Sequence, residues 1–307
     1  MFFILLIISF IIIIKAANLL IDAAIDLAGY LGISQFVIGL TVVAFGTSAP
    51  EAAVNIIASL QNKSDIALGN IVGSNILNIG LVIGITALIF TMKTEWTAIR
   101  IDIPFAFVSS LVFGLLVLDG LSKNDGIILA LFFFIYLNYL WITGKSSYLK
   151  NENLVDKDKK ISKVIVMLFS GMVGVVLGGQ LIVHSSVNIA TSLGYSEAFI
   201  GLTIVSLGTS LPELITCVTA CYKKSDSIAV GNMVGSNIFN ILFVLSLSSV
   251  ISPIAFNNKF VFDLAYMVFI TFMLFVFSYT QKRISRFEGF CLSVFYTIYF
   301  MIIFIRS

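Results

Sequence analysis

Residues 39–80 read GLTVVAFGTSAPEAAVNIIASLQNKSDIALGNIVGSNILNIG, and residues 201–242 read GLTIVSLGTSLPELITCVTACYKKSDSIAVGNMVGSNIFNIL. Aligned without gaps at an offset of 162, the two stretches are identical at 21 of 42 positions. Shared apolar composition gives scattered matches. It does not give Gly-Thr-Ser-x-Pro-Glu followed by Gly-Asn-x-Val-Gly-Ser-Asn-Ile-x-Asn twice in the same order, so the chain is an internal duplication.

The composition says where the duplication folds. Of 307 residues, 59% are hydrophobic and 11% charged, against about 25% charged in a soluble domain. A soluble core of this length cannot hide so much apolar surface behind so few charges. That excludes an ordinary cytosolic enzyme, a disordered chain and a nucleic-acid binder, which needs a basic face. A crossing helix needs about 20 mostly apolar residues. Polar breaks divide the chain into ten such runs, at 2–28, 34–61, 66–90, 97–118, 125–143, 162–190, 196–222, 228–250, 260–280 and 287–305. No basic residue precedes the first run, so it is expected to be a retained helix and not a cleaved signal peptide.

Five runs fall in each half, residues 1–143 and 162–307, with a polar linker at 144–161. Five is odd, so the second half enters the membrane from the opposite side. The expected fold is an all-α polytopic membrane protein, ten transmembrane helices arranged as two inverted five-helix repeats. Inverted repeats of this kind recur in secondary transporters, with the site near mid-bilayer at the repeat interface. The linker lysines orient the chain. Placing the linker inside puts Lys93, Arg100, Lys145, Lys150, Lys157, Lys159, Lys160, Lys163, Lys223, Lys224, Lys282, Arg283 and Arg286 on the cytoplasmic side. Only Lys63, Lys123, Lys259 and Arg306 remain outside. This bias follows the rule for cytoplasmic loops and predicts both termini outside.

The repeated motifs carry the chemistry. Pro50 and Pro212, two of only four prolines, sit mid-run. A proline there lacks an N–H and crowds the carbonyl four residues back, which frees the carbonyls of Gly46 and Gly208 and loosens those of Thr47 and Thr209. Free carbonyls at membrane depth are tolerated only beside protein or a water-filled cavity. Glu51 and Glu213 are the only acids that these runs place deep in the bilayer, where an uncompensated charge costs at least ~2.5–3.5 kcal/mol. They read either as protonated helix contacts or as one cation site of formal charge −2. In the second motif Ser74 and Asn78 share a helical face, as do Ser236 and Asn240; cation ligation and interhelical hydrogen bonding are both open to them. Asn70, Asn75, Asn232 and Asn237 add amides. Gly69, Gly73, Gly231 and Gly235 have GxxxG spacing, which permits close helix approach.

These donors are all oxygens, which suits a hard cation taking about 6–8 of them, such as Ca²⁺. Two bidentate glutamates give four, and one carbonyl from each unwound segment makes six. A transition metal favours imidazole or thiolate. His184 stands alone and reads as structural, and Cys217, Cys221 and Cys291 lack metal-ligand spacing and read as small buried hydrophobes.

With these residues in view, the chain resembles the sodium/calcium exchangers of the cation/Ca²⁺ antiporter superfamily, in their prokaryotic form with a short central loop. The resemblance implies Na⁺ and Ca²⁺ as transported ions, no cofactor, no catalytic residues, the lipid bilayer of a prokaryotic plasma membrane as surroundings, and no required protein partner. It implies Ca²⁺ bound by Glu51, Glu213 and the carbonyls of Thr47 and Thr209. It implies Na⁺ bound by the same glutamates with Ser48, Ser210, Ser74 and Ser236, and the backbone oxygens of Ala44 and Ser206. Asn78 and Asn240 would lie at the centre. Some relatives carry Asp at one of these last two positions, and both are Asn here. The resemblance further implies that the first and sixth helices slide against the rest. Rival readings are H⁺/Ca²⁺ or K⁺-dependent exchange, a channel, and an intramembrane hydrolase with paired acids.

Overall fold

The computed structural model describes residues 2–148, 160–193 and 206–306. The linker lysines 150, 157 and 159 and the beginning of the run at 196–222 lie outside these residues. Among the described residues, eight helices are long and apolar enough to cross a membrane, and one further pair is bent by 49° at a break. The helices are α1 (Phe2–Leu31), the bent pair α2 (Gln35–Thr47) and α3 (Ala49–Leu60), α4 (Ser64–Ile89), α5 (Ala98–Asp119) and α6 (Lys123–Tyr148). They continue with α7 (Ile161–Ser192), the short α8 (Ser206–Thr209), α9 (Leu211–Tyr222), α10 (Asp226–Ile251), α11 (Asn258–Gln281) and α12 (Arg286–Arg306). The only extended pairing of more than one residue among them is between β1 (Met92–Lys93) and β2 (Arg283–Ile284), which are antiparallel.

The polar residues decide the layering. A bilayer offers no water to backbone or side chain, so amides and carboxylates must turn to one another. The Asn- and Ser-bearing helices α4 and α10 therefore take the middle, with Asn75, Asn78, Asn232, Ser236 and Asn240 all buried. The uniformly apolar helices lie outside and show Ile and Phe to the surroundings, as Ile135 on α6 and Phe290 on α12 do.

Contacts repeat across the 162-residue offset. α4 packs on α12, and its counterpart α10 packs on α6; α1 lies along its own counterpart α7. The α1–α7 seam is close because Gly171, Gly174 and Gly178 face Leu20, Ala16 and Ile13. A Cβ on Gly171 would stand 2.8 Å from the Leu20 backbone. Gly231 and Gly235 do the same for α2, whose Phe36 and Leu40 backbones rest directly on them. The GxxxG of α10 is thus a packing device.

Candidate cation site

The chain breaks at Ser48 (φ −86°, ψ 9°) and at Ser210 (φ −95°, ψ 5°). Each break is one residue long, shorter than the unwound segment that the proline predicts. The reason is the place of the proline: Pro50 and Pro212 stand in the first turn of α3 and α9, where the missing N–H costs nothing and the fixed φ suits a helix start. Helical bonding resumes at once, with Ala52 N–H on the Ser48 carbonyl at 3.1 Å and Leu214 N–H on the Ser210 carbonyl at 3.1 Å. Glu51 and Glu213 therefore fall in the first turns of the new helices, where unsatisfied N–H groups favour negative charge.

Both carboxylates are buried, at 1% and 0% exposure. Ser48 Oγ donates to Glu213 Oε1 at 3.2 Å. Thr47 Oγ1 donates to Asn232 Oδ1 at 3.1 Å. Asn78 Nδ2 donates to Asn237 Oδ1 at 3.1 Å, and Asn240 Nδ2 donates to Asn75 Oδ1 at 3.3 Å. Asn237 Nδ2 reaches the Asn75 carbonyl at 3.2 Å. Every one of these bonds joins one half of the chain to the other. Neither glutamate is in an ion pair among the described residues.

The central asparagines have spent their donors on the opposite half, which leaves their oxygens. Asn78 Oδ1, Asn240 Oδ1, Glu51 Oε2, Glu213 Oε2, Ser210 Oγ and Ser236 Oγ are buried with no hydrogen-bond partner among the described residues. Unsatisfied buried acceptors are expensive. These oxygens come from both halves of the chain, and oxygens of this kind suit a hard cation; a cation at the two buried carboxylates would relieve both their repulsion and their desolvation.

Thr47 and Ser74 are buried, and Ser74 Oγ donates to the Asn70 carbonyl at 2.6 Å. The Ala44 carbonyl accepts the Ser48 N–H at 3.0 Å and the Thr47 hydroxyl at 3.4 Å. Ser206 opens α8 and Thr209 closes it, one residue before the break. His184 is an exposed residue beside Asn188 and the Phe2 ring.

Three features escaped the sequence. Asn78–Ile83 and Asn240–Val244 are π-helical turns, each opening at a central asparagine; wide turns of this kind often mark functional sites, but they have no composition signature. Asn55 braces the first break. Its Oδ1 accepts from Asn70 Nδ2 at 2.6 Å, and its own Nδ2 donates to Ser248 Oγ at 3.3 Å, while Asn70 also holds the Glu51 carbonyl at 3.1 Å. Comparison of the repeats hides Asn55, because its counterpart is Cys217. Asp102 is a further buried acid, bonded by Tyr136 Oη at 2.6 Å. It lies at the edge of its apolar run and reads from sequence as interfacial.

The family model described as "Sodium/calcium exchanger protein" matches residues 1–142 and 163–305. The sodium/calcium exchanger MaX1 of Methanosarcina acetivorans is 34% identical, over 98% of this chain and 98% of its own length. The inner membrane protein YrbG of Escherichia coli is 35% identical, over 81% of this chain and 79% of its own. Crystals of the sodium–calcium exchanger NCX_Mj soaked with zero Na⁺ and Ca²⁺ gave a structure that superposes with a TM-score of 0.85 at 30% identity, covering 96% of each chain.

Proposed function

The chain belongs to the sodium/calcium exchanger family, and on that premise we propose that it is a secondary active antiporter moving Na⁺ against Ca²⁺ by alternating access at one buried site. The observation that carries this reading is the pair Glu51 and Glu213, both buried, with no cationic partner among the described residues and with Ser48 of the first half bonded to Glu213 of the second.

Ca²⁺ takes the two carboxylates with the carbonyls of Thr47 and Thr209. Na⁺ takes sites that share those carboxylates with Ser48, Ser210, Ser74 and Ser236, with the Ala44 and Ser206 backbone oxygens at their edge. Asn78 and Asn240 stand between them. Ca²⁺ and Na⁺ exclude each other because they draw on the same two charges. Either load neutralises the formal charge of −2, whereas an empty site with both carboxylates ionised resists crossing a dry interface.

The fold is read as ten crossings in two inverted repeats, residues 1–143 and 162–307, with the linker cytoplasmic, both termini outside and the whole in a prokaryotic plasma membrane. The repeated helix packing, the paired breaks and the charge bias support it. α1 and α7 slide as a unit against the rest. The α1–α7 glycine seam supports this, as do contacts of α7 with both breaks: Met172 lies against Gly46, Val183 against Gly208, and Gly179 against Pro212.

The test is ⁴⁵Ca²⁺ uptake into proteoliposomes against imposed Na⁺, K⁺ and H⁺ gradients in turn. A Na⁺ gradient alone should drive uptake in the wild type, and Glu51→Gln or Glu213→Gln should abolish it. Near-normal flux in both variants would overturn the site, and uptake driven by a pH step without Na⁺ would replace Na⁺ coupling with H⁺/Ca²⁺ exchange.

A further inference from the structure

The ends of α4 and α11 and the beginnings of α5 and α12 meet. Met92 pairs with Ile284 and Lys93 with Arg283, and Thr94 N–H donates to the Lys282 carbonyl at 3.1 Å. This clamp sets Trp96 beside the end of α11. The Arg100 guanidinium lies 4.4 Å from the centre of the Trp96 ring and Lys282 Nζ lies 4.7 Å from it, with the Tyr279 ring 6.1 Å away. Lys282 adopts the left-handed backbone (φ 55°), a conformation that a lysine rarely takes. Arg286 Nη2 donates to the Ile89 carbonyl at 3.3 Å.

None of these side chains is in an ion pair among the described residues, although Asp226 Oδ2 accepts the Lys93 backbone N–H at 3.2 Å and Glu95, bonded to Ser227, precedes Trp96. The described ion pairs lie elsewhere, at Lys223–Asp22, Lys259–Asp65 and Arg306–Asp263. The neighbouring acid Glu288 is taken, its two oxygens accepting from Thr280 Oγ1 and Ser285 Oγ at 2.7 Å each. Next along α12 the apolar surface is bare, with Phe287 73% and Phe290 54% exposed.

An indole at a helix end belongs at headgroup level, and Lys and Arg there bury their stems on apolar surface while the charge stays at the interface. We infer that Trp96, Arg100, Lys282 and Arg286 form a binding site for an anionic phospholipid. The headgroup phosphate lies between Arg100 and Lys282, and the acyl chains lie along the exposed side of α12. Phosphate between two donors that share a ring gains charge-assisted hydrogen bonds, and it removes the repulsion between two cations held over one indole. This site is separate from the cation cage and stands whichever ion drives transport.

The experiment is native mass spectrometry of the purified protein in a neutral detergent, titrated with phosphatidylglycerol or phosphatidylcholine, with thermal unfolding in parallel. Wild type should retain phosphatidylglycerol in preference and melt higher with it than with phosphatidylcholine. Removing a charge near an anionic surface costs about fivefold in affinity, so the double variant Arg100→Gln, Lys282→Gln should lose about 25-fold. Lys259→Gln, at an ion pair elsewhere, should lose nothing. If the double variant fails to fold, the wild type still decides: the preference should collapse as salt rises from about 0.05 to 0.5 M. Undiminished preference in the double variant, a salt-independent preference, or equal protection by glycerol 3-phosphate would overturn the proposal.

Discussion

The Ser48 hydroxyl donates to Glu213 Oε1 at 3.2 Å across 165 positions of chain. The residue that breaks the first bent helix thus holds the acid that follows the second break. Each half lends a hydroxyl or an amide to the other's acceptors.

Ser48→Ala removes this bond and leaves a buried carboxylate oxygen without its donor. A hydrogen bond to a charged group contributes about 1.5–3 kcal/mol. The expected result in reconstituted flux is a loss of about tenfold or more in apparent ion affinity with the maximal rate retained, and Ser48→Thr should restore most of it. An unchanged affinity would show that the bond does not position Glu213.

Asn240→Asp exchanges the Nδ2 donor that holds Asn75 Oδ1 at 3.3 Å for a third carboxylate. If Ca²⁺ binds as proposed, the loaded site then carries a net negative charge, and its passage through a dry interface is penalised. Ca²⁺ exchange should fall more than about tenfold at pH 8 and recover as the medium is acidified toward pH 6, because a proton on the added acid restores neutrality. Wild type measured over the same range is the control.

Gly235→Ala places a Cβ 2.7 Å from the Leu40 Cα and carbonyl carbon. Backbone cannot yield as a side-chain tip does, so the variant should lose about 1–3 kcal/mol and melt several degrees lower in detergent. Gly114→Ala, on lipid-facing α5, meets only the Val268 methyl at 4.0 Å. It should melt at or above wild type, because alanine is the better helix former by about 1 kcal/mol.

Glu95, in the connection between β1 and α5, is held above the usual carboxylate range by burial, partly offset by its bond to Ser227. A carboxyl that is raised on folding favours the folded state at low pH, and that contribution is lost as pH rises through its folded value. Glu95→Gln keeps the hydrogen bond and removes the charge. It should therefore raise the melting temperature at pH 8 and change it little at pH 4.5; equal shifts at both would exclude the linkage.

Much of this was written in the chain. The duplication, the paired Pro-Glu motifs and the apolar runs announced where the breaks and the acids would fall, because each depends on local covalent chemistry or on the cost of a charge in lipid. The cross-half amide bonds were legible only as residue types. Which asparagine meets which depends on how α4 and α10 cross. Asn55 was invisible for a related reason: it works through Asn70 and Ser248, and its counterpart is a cysteine. The π-helical turns at Asn78 and Asn240 were not legible, because no residue in them demands a wide turn.

Because Met172 and Val183 on one continuous helix touch Gly46 and Gly208 at the two breaks, a shift of that helix along its axis cannot alter one contact and spare the other. Such a mechanical interlock would bar the proposed site from opening to both sides together. The predicted functional mark is a very small uncoupled leak: with Na⁺ and Ca²⁺ absent from one side, ion flux from the other should be close to that of empty vesicles.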